Sequence, residues 1–217
     1  MSATLWQVVR SIPGARRLAR ALGIARTASV SRRFLLDRVP KNARCAEIGV
    51  HLGDFSAEIL RRTEPAELHL IDPWRHETAE IYGDSLYGGQ ARGQAEMDAR
   101  HDRVCERFAA PIAGGQVVIQ RGDSVDVLGR FPDGYFEWIY IDGNHLYEFV
   151  SADLEMAYRK TLPSGWITGD DYHGGGWWQG GVKRAVDEFV ARHPFATVVL
   201  RDGQFLLQKA PSAPTVK

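Results

Sequence analysis

The side chains most able to do chemistry lie where two apolar runs end in acid. Phe136-Glu137-Trp138-Ile139-Tyr140-Ile141 stops at Asp142-Gly143-Asn144-His145, and Trp166-Ile167-Thr168 stops at Gly169-Asp170-Asp171-Tyr172-His173. Adjacent carboxylates repel unless a cation or strong donors hold them. Asp170 and Asp171, joined by Asp142, therefore read as a site for a hard cation, and an all-oxygen donor set favours Mg²⁺ over zinc. His145, three residues past the first acid, is of the one side-chain type whose ordinary pKa lies near cellular pH. The plainer alternative is that these carboxylates cap helices or pair with arginine, and that His145 only orients a loop.

For these groups to meet, the two runs must lie side by side. Each reads as a buried strand, and residues 146–162 between them are long enough for a helix that Pro163-Ser164-Gly165 stops. A strand, helix, strand unit crosses over right-handed with parallel strands. Asp142, Asp170 and Asp171 then reach one sheet edge, where open α/β sheets bind ligands.

The same alternation runs through the rest of the chain. A strand over 44–49 leads into a turn and a helix ending at Arg62, with Glu47, Gly49 and Gly53 in an acid-x-Gly-x-x-x-Gly pattern. Glycines suit a turn that a ligand approaches closely, and a helix amino terminus adds N–H groups and a positive dipole end. A strand over 67–71 ends at Asp72-Pro73-Trp74, and Asp72 has the spacing of an acid that grips ribose hydroxyls. Residues 75–94 read as an inserted loop, 95–110 as a helix, and 117–120 as a strand ending in Gly122-Asp123-Ser124. Further on, 174–181 reads as a mobile glycine-rich loop carrying Trp177 and Trp178, and 182–192 as an amphipathic helix. Strands over 195–200 and 204–208 form a hairpin through Arg201-Asp202-Gly203. Tyr135, Trp138 and Tyr140 are expected in the core. Trp74, Tyr82, Tyr87, Tyr147, Trp177 and Trp178 fall in loops after strand ends, where aromatic faces suit a sugar or a catechol ring.

The net charge is zero, but it is divided. Residues 1–44 carry ten basic side chains against one acid, Asp37, a net +9 that leaves −9 for the remainder. Such a segment could meet nucleic acid, a membrane surface or an anionic substrate; docking on the acidic body of the same chain or its partner is the favoured expectation. Three short helices, the last over 31–38, make this a basic helical arm, and Leu5, Trp6, Val8 and Val9 need a surface to cover, for which a homodimer is expected. The expected organisation is an arm over 1–42, a main domain over 43–210 and a frayed tail over 211–217. No run approaches a membrane span. Arg10 and Pro13 interrupt any secretory signal, although the arginine-rich start resembles an organellar transit peptide. Cys45 and Cys105 lack paired metal spacing and are expected as buried free thiols in the cytoplasm.

Five strands alternating with helices and then a hairpin resemble the class I S-adenosylmethionine-dependent methyltransferase fold, a Rossmann-like α/β sheet of seven strands whose last is antiparallel. The resemblance covers about residues 43–209. It implies cofactor contacts from Glu47, Gly49, Gly53 and Ser56 at the methionine part, from Asp72 and Trp74 near the ribose, from Asp123 and Ser124 at the adenine, and from Asp142. His51 departs from it, standing where a middle glycine is often found. Within that fold, Asp142-Gly143-Asn144-His145 followed by Asp170-Asp171-Tyr172 is similar to the metal-dependent O-methyltransferases of sugar and macrolide tailoring, and the small size and basic arm resemble the actinobacterial enzymes that methylate short mannosides. That likeness implies Asp142, Asp170 and Asp171 as Mg²⁺ ligands, His145 (or Asp142) as the base, and Tyr147, Tyr172, His173, Trp177 and Trp178 against the acceptor. The expected activity is Mg²⁺-dependent methylation of a hydroxyl on a small saccharide or glycoside.

Methyl transfer from a sulfonium is an in-line displacement that needs an aligned, nucleophilic oxygen. An alcohol requires help to lose its proton, which a carboxylate-bound cation and a neutral imidazole supply together. A catechol or other phenol is the second expectation and would depend less on His145. An RNA methyltransferase is less expected, because the chain lacks the Asn/Asp-Pro-Pro-aromatic motif usual in amine methylation after the fourth strand. A nonenzymatic cofactor-binding module would show no activity with any acceptor.

Overall fold

The computed structural model describes residues 28–212. A first helix, α1 (Ala28–Leu36), precedes β1 (Arg44–Ile48), α2 (Asp54–Thr63) and β2 (Glu67–Asp72). A single 3-10 turn, Glu80–Tyr82, interrupts the long connection to α3 (Gln94–Arg107), which is followed by α4 (Ala109–Ala113) and β3 (Val117–Arg121). Then come α5 (Ser124–Gly129), β4 (Phe136–Ile141), α6 (Tyr147–Lys160), β5 (Thr161–Gly169), α7 (Gly181–Arg192), β6 (Phe195–Arg201) and β7 (Gln204–Lys209).

The seven strands form one sheet in the order β3-β2-β1-β4-β5-β7-β6, with β7 antiparallel to both its neighbours. This is the Rossmann-like class I methyltransferase sheet expected of the sequence. The strand order reverses between β1 and β4, whose residues Cys45 to Ile48 pair with Trp138 to Ile141. Strand alternation sends successive side chains to opposite faces. Cys45, Trp138 and Tyr140 join Leu35, Ile59, Val104 and Phe108 on one face. Ala46, Ile48, Ile139 and Ile141 pack with Leu128, Leu154, Val186 and Phe189 on the other. Both faces are covered, so the central strands read as nearly continuous apolar runs.

Several expectations are corrected. The helix expected over 146–162 ends at Lys160, and β5 begins at once at Thr161, passing through Pro163-Ser164-Gly165 with a register shift against β4. Lys160 is buried and donates to the Phe131 carbonyl and Asp133, an anchorage that local pattern does not reveal. The helix expected over 95–110 is two helices, and α5 was not anticipated. Tyr135 lies just before β4 and is only half-buried, because its hydroxyl reaches out to Glu67. Cys45 is a buried free thiol, but Cys105 is half-exposed on α3. Leu5, Trp6, Val8 and Val9, on which the homodimer rests, lie outside the described residues, as do the two earlier arm helices. Among the described residues no helix is long and apolar enough to cross a membrane.

Candidate active site

At the amino-terminal half of the sheet the cleft is built largely from backbone. After β1 the chain turns through Gly49, His51 and Gly53, all with positive φ. At Gly49 a Cβ would stand 2.0 Å from the Asp142 carbonyl oxygen, so the ends of β1 and β4 touch only because no side chain is there. His51 adopts the same left-handed conformation at φ +55°, so the turn keeps its shape without a middle glycine. Asp72 holds this turn from below: Val50 N and His51 N donate to its Oδ2 at 2.9 and 3.1 Å, and Trp74 N donates to its Oδ1 at 2.7 Å. Burial raises the Asp72 pKa, and the three amides oppose that rise. Each carboxylate oxygen accepts two hydrogen bonds, so Oδ1 retains capacity for a ribose hydroxyl. Gly53 begins α2 with no side-chain cap, leaving the first amides of that helix available to an anionic group.

At the ends of β4 and β5 the cleft is built from charge. His145 Nε2 lies 3.3 Å from Asp142 Oδ1 and 3.2 Å from Asp171 Oδ2. Among the described residues these three offer ligand atoms within 4.8 Å of one another. Burial alone would lower the His145 pKa; the hydrogen bond to Asp142 and the charges of Asp142, Asp171 and Asp170 outweigh it, and the net direction is upward. Asp170 turns the other way. It accepts from Arg32 Nη2 of α1, from Gln204 Nε2 of β7 and from Asp171 N. Burial and the charge of Asp142 push Asp170 up, whereas His173 and His145 bring Asp171 down in spite of burial. The left-handed backbone of Asp171, φ +57°, lets these consecutive acids face different partners.

Aromatic rings wall this acidic corner. Trp178 packs on His145 at 4.8 Å and on His173 at 5.2 Å between ring centroids, and Trp177 contacts Tyr82, Tyr87 and His145. Gly181 permits the approach of this loop to His145: a Cβ there would lie 2.7 Å from both the His145 carbonyl oxygen and Tyr147 N. Asn144 donates to the Tyr82 hydroxyl at 2.9 Å, fixing the 75–94 connection over the same corner.

A family model described as a methyltransferase domain matches residues 46–172. The chain belongs to that methyltransferase family. S-adenosylmethionine is the methyl donor the family implies, and the uncapped start of α2 beside Asp72 fits it. No curated protein matches the methyltransferase in sequence. Among solved structures, a Corynebacterium glutamicum protein is 16% identical, with 92% of this chain and 89% of that one covered and a TM-score of 0.61. A Staphylococcus aureus protein described as a caffeoyl-CoA O-methyltransferase is 17% identical, with 92% of each chain covered and a TM-score of 0.59. A Clostridium thermocellum protein described as an rRNA-methylase is 11% identical, covering 85% and 96%, with a TM-score of 0.58. At these identities the likeness shows the fold.

The structure sorts the residues expected at the methyltransferase's site. Gly49, Gly53, Asp72, Asp142, His145 and Asp171 gather about the cleft as described. Glu47 and Ser56 are fully buried and bonded to each other, and Trp74 is fully buried with its ring against His101. These three lie buried beside the turn, packed within the fold. Asp123 is held bidentately by Arg75 at 3.0 Å, and Ser124 donates to the buried Asp153. Tyr147 and Tyr172 donate their hydroxyls to Glu188 and Asp187 of α7. His173 reaches Asp171 Oδ1 at 3.2 Å. Arg32, Gln204 and Asp153 were not anticipated at the site. Only Arg32 left a trace in the sequence, as one cation of the +9 segment expected to dock on the acidic body.

Proposed function

We propose that this methyltransferase is Mg²⁺-dependent and methylates a hydroxyl of a small saccharide or glycoside. The observation that supports this reading is the position of His145, set between two carboxylates and two indole rings at the ends of β4 and β5. Asp142 and Asp171, which with His145 bring ligand atoms within 4.8 Å of one another, would hold the cation with Asp170 beside them, and their carboxylates are hard oxygen donors matched to Mg²⁺. A bound Mg²⁺ supplies Lewis acidity that lowers the pKa of an acceptor hydroxyl and fixes its position. Facing two carboxylates, His145 Nε2 carries the N–H, so the hydroxyl proton would pass to Nδ1, which has no partner among the described residues. Asp72 and the Gly49–Gly53 turn bind the donor, while Asp123 and Ser124 border its adenine. Trp177 and Trp178 present flat apolar faces to the C–H face of a sugar ring and keep water from the reacting oxygen.

Residues 43–210 form the methyltransferase domain, and the preceding arm pairs two copies into a homodimer. The test is a radiolabelled methyl-donor assay across glycosides, catechols and RNA, with Mg²⁺ and with EDTA. Transfer to glycosides that EDTA abolishes is expected. Transfer to catechols alone moves the acceptor to the phenol class, and EDTA-resistant transfer to RNA overturns the proposal.

A further inference from the structure

The guanidinium of Arg32 lies inside the acidic corner. Its Nη2 is 2.9 Å from Asp142 Oδ2 and also donates to Asp170 Oδ2, while its plane lies over Phe55 and Tyr140 at 5.1 and 5.7 Å. Side-chain exposures of 16, 16 and 13% for Arg32, Asp142 and Asp170 make this a largely buried cluster. Asp142 is the shared member, turning Oδ2 to Arg32 and Oδ1 to His145. A second cation at Asp142 and Asp171 would therefore face the guanidinium across one carboxylate, and like charges so close are strongly disfavoured where water cannot screen them.

The arginine is also incompletely satisfied. Its Nε is buried with no partner among the described residues, and a buried donor left unmade costs free energy. Its helix is held one turn later by Leu35 and Leu36, both buried against α2 and the sheet, so Arg32 can leave while the end of α1 stays docked. Gln204 gives Asp170 a second donor that does not depend on the arm.

We infer that Arg32 is an internal counter-cation that competes with the divalent metal for Asp142 and Asp170, so that metal binding and docking of the start of α1 exclude each other. This rests on the Mg²⁺ reading of the same site. With the metal absent, Arg32 keeps three neighbouring carboxylates from repelling one another. When the metal binds, Arg32 withdraws and Asp170 becomes available beside Asp142 and Asp171. Release of Arg32 thereby reports occupancy of the metal site.

The test uses the full-length protein, wild type, Arg32→Met and Arg32→Lys, with Mn²⁺ as the probe. Met retains a long apolar stem over Phe55 and Tyr140 but no charge. Mn²⁺ affinity, read by electron paramagnetic resonance, should rise at least about tenfold in Arg32→Met, the scale of one charge-assisted hydrogen bond. Arg32→Lys should fall between the two and guards against a Met variant that folds poorly. In the wild type, saturating Mg²⁺ should speed hydrogen exchange in residues 28–33. Equal Mn²⁺ affinity in all three proteins, with exchange in α1 unmoved, overturns the competition and leaves the metal site standing. No Mn²⁺ binding by any of them overturns both.

Discussion

At the ends of β1 and β2, Asp72 is met by three backbone amides, those of Val50, His51 and Trp74. At the ends of β4 and β5, Asp142, Asp170 and Asp171 are met mainly by side chains, those of Arg32, Gln204, His145 and His173. The first arrangement is local: its donors lie within a few dozen residues, carry no titratable proton and are fixed once the turn forms. The second draws on positions from 32 to 204, and its partners can be exchanged, protonated or displaced. A donor that is always the same molecule suits the first, and a reaction that must move a proton suits the second.

Substitutions should separate the two regions. The largest effect is expected from Asp142→Asn, which removes the carboxylate shared by His145, Arg32 and the proposed cation: methyl transfer should fall on the order of 10³-fold, far more than S-adenosylmethionine affinity by calorimetry. A matching loss of donor affinity would merge the two regions into one. Asp72→Asn is the mirror experiment. It keeps an acceptor oxygen for the backbone but gives up the charge, so donor affinity should drop about tenfold while the maximal rate holds; unchanged affinity would remove Asp72 from the donor site.

How much of this was readable beforehand follows the same division. The glycine turn and Asp72 were legible because backbone geometry demands particular residues at particular spacings, and His51, the departure from the motif, takes a left-handed conformation there. The β7 hairpin was legible from Asp202-Gly203. At the other end the acids and His145 were legible as types, but their partners were not. Nothing near Asp170 in sequence announces Arg32 or Gln204, which reach it only through packing of α1 and β7. The burial of Glu47, Ser56 and Trp74 has the same origin: spacing placed them near the turn, and only tertiary structure shows how deeply they lie.

A smaller effect is expected on stability. Burial lifts the Glu47 pKa from about 4.5 to about 8, against the hydrogen bond from Ser56. The folded state then holds a proton that the unfolded chain releases, so this group's contribution is lost as pH rises from about 4.5 to about 8. Thermal unfolding should show a shallower decline over that window in Glu47→Gln than in the wild type; parallel curves would mean that Glu47 is not the buried acid responsible. The smallest effect is expected from His51→Gly. Relief of a left-handed non-glycine residue and the added chain entropy of glycine nearly cancel, at about 1 kcal/mol each, so Tm and donor affinity should barely move. A large loss of either would give the His51 side chain a role that the turn geometry does not.

The central claim is that the charge-built end of the cleft moves a proton through His145. The direct measurement is the pH dependence of the maximal rate with a glycoside acceptor, for wild type and His145→Gln. A neutral imidazole is required, and Asp142, Asp171 and Asp170 hold its pKa above the ordinary 6.5. The wild-type rate should therefore be low in acid and rise with pH through an inflection that belongs to His145. His145→Gln should lose that inflection along with about 10²–10⁴ in rate. The same inflection and rate in both proteins would contradict the account.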